Sequence, residues 1–192
     1  MLPLFPYKGA LRPLLMLICM GLALFALYRT RPKAYYAKLL LLACVGYAFF
    51  LLYATFLSRT VAQTHAYRLE LMGSARKAFS IDGGLWALVC GDFSAIRLDD
   101  PQSLEGIAIN FLLLLPLGFL LPAVVALRGR RMRAWQAIAI ASLLSALIEI
   151  AQLATRLGML DVDDWLFNTM GAALGYWLYR RAQRRCSGEQ KP

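Results

Sequence analysis

Charge is scarce in this chain of 192 residues, and negative charge most of all. Charged side chains make up 17% of it, and 11 acidic residues stand against 21 basic ones. So little charge, beside 60% hydrophobic residues, argues against an ordinary soluble domain and for a membrane protein. There is one histidine, His65, with no triad partners in view, and it is assigned no role. The four cysteines, Cys19, Cys44, Cys90 and Cys186, include no C-x-x-C or other metal-ligand spacing. They read as structural thiols, no metal is assigned, and nothing names a cofactor. No internal repeat or low-complexity tract is visible. No small-x-small cleavage site follows the first apolar run, so a retained helix is expected there rather than a signal peptide.

What is present is a series of long apolar runs. Crossing the hydrocarbon core takes roughly twenty residues, and five segments are expected to do so: Leu11–Tyr28, Lys38–Leu57, Leu104–Leu127, Ala134–Thr155 and Asp164–Tyr179. Spanning segments of this kind must be helical, because each backbone polar group needs a partner within its own segment. The expected fold is an all-α integral membrane bundle of about five transmembrane helices, with residues 1–192 forming a single domain. Pro116 and Pro122 are expected to kink the third helix. The one long connection, residues 58–103, contains the weakly amphipathic stretch "RLELMGSARKAFS", which suits the membrane interface.

The net charge of +10 would suggest nucleic acid in a soluble protein. Here the basic residues stand in clusters between apolar runs, so they read as topology signals and no nucleic-acid partner is expected. Alternate linkers hold most of them. One set carries Arg29, Arg31, Lys33 and Lys38, then Arg128, Arg130, Arg131 and Arg133, then the C-terminal arginines, with Glu189 as its only acid. That set is expected in the cytoplasm, which puts the N-terminus outside and the C-terminus inside.

Against this background the polar residues within the spans stand out. At the helical pitch, Ser142, Ser145, Glu149, Gln152 and Arg156 share an arc about 80° wide. Asp161, Asp164, Asn168, Gly171 and Gly175 share a similar arc of roughly 80° on the next helix. Two stripes on consecutive antiparallel helices imply that they face each other or a common cavity. Asn110 on the third helix and Arg59 at the end of the second lie at comparable depth on the same side. A carboxylate inside a span is expensive, which makes Glu149 the leading functional candidate. Asp161 and Asp164 also fit a plain helix cap, and Asp163, about 100° round the helix from Asp164, is expected to tolerate Asn. Gly171 and Gly175 form a small-x-x-x-small spacing that brings helices close.

"NFLLLLPLGFLLP" from Asn110, followed by "SALIEIAQLATRLGMLDVDDWLFNTMGAALGYWL", resembles the VanZ-like family of small polytopic membrane proteins. The likeness covers the C-terminal half closely and includes "LLYATFLSR", ending at Arg59. It implies a multi-pass cell-envelope protein of the bacterial inner membrane. It also implies a relation to reduced susceptibility to the glycopeptide teicoplanin, and thus to antibiotic resistance. With the polar stripe it suggests a site in which Glu149 and Asp164 are the candidate catalytic carboxylates. Arg59, Asn110, Gln152, Arg156, Asp161 and Asn168 are the candidate ligand-binding groups. The expected partners are membrane lipids and a lipid-linked envelope precursor, whose phosphate the planar guanidinium groups would suit. A non-catalytic accessory factor, or a small proton-coupled transporter, would use the same residues; the missing inverted repeat counts against transport.

Overall fold

The computed structural model describes residues 33–57, 67–81 and 96–188, together with positions 21, 59 and 90. The expected first span Leu11–Tyr28, the N-terminal orientation and His65 lie outside the described residues. Within them the chain is a helical bundle. Helix α1 is Lys33–Leu52 and continues as a π-helical turn, Tyr53–Leu57. Helices α3 (Pro101–Leu113), α4 (Leu115–Leu127), α5 (Ala134–Thr155) and α6 (Val162–Gly188) follow. The connection after α1 holds a short helix α2 (Gly73–Ala78) and the strands β1 (Tyr67–Arg68), β2 (Phe79–Ile81) and β3 (Ile96–Leu98). A fourth strand, β4 (Leu160–Asp161), leads into α6.

Three helical stretches among the described residues are long and apolar enough to cross a membrane: Tyr36–Leu57, Pro101–Leu127 and Ala134–Thr155. The expected fifth span, Asp164–Tyr179, lies inside α6. Its uncharged stretch between Asp164 and Arg180 is shorter than the roughly twenty residues that cross the core unaided. Large apolar side chains point outward, among them Phe49 at 71% exposure and Leu143 at 62%. In water such surface would seek a partner, whereas among lipid tails it is already solvated.

The third span breaks where its prolines stand. Pro116 has no N–H to continue the ladder, so α3 stops at Leu113, Leu114 takes φ −98° and ψ 1°, and α4 begins with proline in its first turn. The Tyr47 hydroxyl of α1 donates to the Leu113 carbonyl at 2.9 Å, beside the break. At its start, α3 is capped by Asp100, which accepts from the Gln102 amide at 3.0 Å and the Ser103 hydroxyl at 2.6 Å.

Helix α6 is the hub, packed against α3, α4 and α5. Glycine allows the approach. A Cβ at Gly171 would collide with the Phe111 carbonyl, one at Gly175 with the Leu115 carbonyl, and one at Gly118 with the Ala172 carbonyl. The expected close packing at Gly171 and Gly175 is therefore present, and Gly118 on α4 answers it from the other side. Apolar packing completes the core: Leu40, Ala43, Tyr47 and Phe50 of α1 meet Leu113, Leu120 and Ala123.

The described parts of the connection between α1 and α3 hold the helix α2 and short strand pairs. β1 pairs in parallel with β4, Tyr67 opposite Leu160 and Arg68 opposite Asp161. β2 and β3 form an antiparallel pair. The β1–β4 pair fastens the connection to the end of the bundle where α5 stops and α6 starts.

Candidate functional site

The polar stripe of α5 lies against α6. Ser145, Glu149 and Gln152 are all buried, Glu149 at 5% exposure. Ser145 accepts from the Asn168 amide at 3.0 Å, and Ser142 holds the Trp165 indole N–H at 3.1 Å. The wheel fails at its last member. Helix α5 ends at Thr155, and Arg156 takes a left-handed φ of 57° that turns it off the stripe to an exposed position.

Around the turn, three carboxylates are organised by backbone amides and a fourth by a side-chain amide. The Asp161 amide donates to Glu149 Oε2 at 3.1 Å, and the Asp163 amide donates to Asp161 Oδ1 at 3.0 Å. Asp163 in turn accepts from the amides of Met72 at 2.5 Å and Ser74 at 2.7 Å. Each carboxylate thus holds the backbone of the next carboxylate-bearing residue, and the last one grips the connection between α1 and α3. Asp164, on a different face, accepts a short hydrogen bond from the Asn110 side-chain amide of α3. Asp163, expected from its direction on the helix to tolerate Asn, is fully buried and accepts from two main-chain donors about ninety residues away in sequence.

Two guanidinium groups balance these acids. Arg68 pairs with Asp161 Oδ2 at 3.1 Å and also donates to the Ser74 hydroxyl at 3.2 Å. Arg59 is near enough to act electrostatically on Glu149 and Asp164. Its Nη1 lies over Gly158, 2.8 Å from where a Cβ would stand, with Gln152 Oε1 3.2 Å from the same point. Gly158 is what lets Arg59 fold over the end of α5. Asp161 does both things foreseen for it, capping α6 and joining a charged cluster. Burial pushes its carboxyl above the usual range, while the Asp163 amide and Arg68 pull it partly back.

The structure therefore gathers Arg59, Asn110, Glu149, Gln152, Asp161 and Asp164 at one end of the bundle, and seats Asn168 deeper on the same α5–α6 seam. Arg156 stands past the end of α5 in an exposed position. Nothing in the residue order pointed to Arg68, which reaches the cluster through the β1–β4 pairing, or to the Thr55 carbonyl, which accepts from Gln152 Nε2 at 2.9 Å. That bond fixes the Gln152 amide, and it leaves Oε1 buried with no hydrogen-bond partner. Asn168 Oδ1 is orphaned likewise; turning that amide would only exchange one unpartnered atom for another, since the Ser145 hydroxyl both donates and accepts. Among the described residues no group of three or more His, Cys, Asp or Glu is placed to hold a metal ion.

The residues that make this cluster fall inside one matched region: a family model described as VanZ/LLP1 covers residues 39–183. The chain belongs to the VanZ/LLP1 family. Membership agrees with the resemblance in "NFLLLLPLGFLLP" and in the Glu149-to-Gly175 stretch, and it extends the likeness back into α1, as far as residue 39. No curated protein and no solved structure matches the chain. What this VanZ/LLP1 protein does must therefore be argued from the cluster itself.

Proposed function

We propose that this VanZ/LLP1 protein resides in the bacterial inner membrane and binds the polar headgroup of a lipid-linked envelope molecule at its mixed-charge end. The orphaned Gln152 Oε1 carries the reading. A buried acceptor without a partner is unfavourable by roughly 1–3 kcal/mol, a cost that a ligand supplying a hydroxyl or amine donor would remove. Arg59, lying beside it, supplies the complementary cation for a phosphate. Glu149, close to both and buried, is the group placed to take or give a proton, and Asp164 is its neighbour on α6. The family's association with reduced teicoplanin susceptibility fits a role at the envelope surface. In this reading the site faces outward, the N-terminus is outside and the C-terminus is cytoplasmic.

Mass spectrometry of lipids co-purified from native membranes tests the binding. The wild type should enrich one class of lipid with a phosphorylated headgroup, and Arg59→Gln should lose that enrichment at unchanged expression. Glu149→Gln keeps shape and removes charge, so it should abolish activity in an envelope-stress or teicoplanin-susceptibility assay with the protein still inserted. Co-purified lipids that simply mirror the membrane would overturn the proposal. Orientation is tested separately, in a background freed of native cysteines. A thiol probe in intact cells should reach a cysteine placed at Gly84 and miss one at Ser187; the reverse would turn the site inward.

A further inference from the structure

The opposite end of the bundle carries a second feature that the mixed-charge cluster does not explain. Between the end of α4 and the start of α5 lies a cavity of about 420 Å³. Arg130, Arg131 and Gln136 are among its polar lining, and Val125, Trp135 and Ile140 among its apolar lining. Its volume falls within the range of ordinary small-molecule sites, roughly 300–1,000 Å³. The connection that forms it is held in place: Gly129 takes φ +68°, and the Tyr176 hydroxyl of α6 donates to the Met132 carbonyl at 3.0 Å.

We propose that this cavity binds one acidic phospholipid, its phosphate between Arg130 and Arg131 and an acyl chain along Val125 and Ile140. Three observations on the molecule choose this occupant. The cavity is open at the junction of two membrane-length helices, so its wall continues the surface that faces lipid tails. Its charge is of one sign: Arg128, Arg130, Arg131 and Arg133 are exposed, and neither residues 128–133 nor the first turn of α5 holds an acid to neutralise them. Trp135, 63% exposed in the first turn of the membrane-length α5, is of the residue type that prefers the boundary between headgroups and tails. A phosphodiester with an apolar tail satisfies all three at once, whereas a free anion would leave the apolar wall uncovered.

Native mass spectrometry of the full chain, released from phosphatidylcholine nanodiscs containing a minority of phosphatidylglycerol, provides the test. The wild type should retain phosphatidylglycerol far above its share of the bilayer. At about a factor of five per arginine, the double variant Arg130→Gln, Arg131→Gln should reduce that enrichment roughly thirtyfold. Ile140→Trp fills the tail groove without changing charge and should also reduce it. The control Arg180→Gln, Arg181→Gln removes equal charge from the same end of the bundle and should keep the enrichment. No enrichment in the wild type, or equal loss in the control, would overturn the proposal. Helicity and melting of each variant confirm that binding rather than folding has changed. A failure here would leave the Glu149 cluster untouched, because the two sites share no residue.

Discussion

At one end of these helices Arg128, Arg130, Arg131 and Arg133 crowd a single turn, all exposed and all of one sign. At the other, Glu149, Asp161 and Asp163 are buried, and each accepts a hydrogen bond from a backbone amide. Like charges in water are screened and need no geometry. Like charges in the interior need a donor apiece: the Asp161 and Asp163 amides serve Glu149 and Asp161, and the connection between α1 and α3 serves Asp163. The basic end is therefore defined by composition and the mixed end by tertiary structure.

The sharpest way to break this contrast is to remove one buried carboxylate and one exposed guanidinium. Asp163→Ala leaves the Met72 and Ser74 amides without an acceptor and should destabilise the protein by about 2–6 kcal/mol. Arg128→Gln should change stability by less than about 0.5 kcal/mol. Thermal unfolding in one detergent compares them directly, and similar melting temperatures would dissolve the distinction between the ends.

A smaller effect sharpens the account of the mixed end. Arg68 and Asp161 form a largely buried pair across β1 and β4. A double-mutant cycle with Arg68→Gln and Asp161→Asn should give a coupling of about 1–2 kcal/mol. A coupling near zero would mean that the strand pairing, not the ion pair, holds the connection in place.

The smallest effect is the pH response of Asp161. Burial raises its carboxyl despite Arg68, so the folded state binds its proton more readily than the unfolded chain does. The resulting stabilisation is fully present below the unfolded-state value and is lost as pH rises through the raised folded-state one. The stability of the wild type relative to Asp161→Asn should thus improve as pH falls through the carboxylate range. A change in the opposite direction would show that the ion pair outweighs burial.

Features set by local periodicity were legible in the amino-acid order. The apolar runs marked the helices, Pro116 marked the break after Leu113, and the pitch of α5 put Ser142, Ser145, Glu149 and Gln152 on one face. Arg156 shows where that logic stops. A wheel assumes that the helix continues, and α5 ends one residue earlier. Asp163 shows a second limit: its direction relative to Asp164 follows from the pitch, but what lies in that direction depends on the Met72–Ser74 backbone. Arg68 and the Gly158–Arg59 contact were hidden for the same reason, since both are made by segments far apart in the chain.

The carbonyl-on-glycine contacts of α6 bear on how the protein can move. Alternating access needs one group of helices to rock or slide against another around a fixed site. Here the Phe111 and Leu115 carbonyls rest in notches at Gly171 and Gly175, while Gly118 receives the Ala172 carbonyl in return. Backbones meshed tooth to notch in both directions cannot shift along one another without first separating. The α3–α4 unit and α6 therefore travel as one piece, so sliding of one along the other is not a route to Glu149.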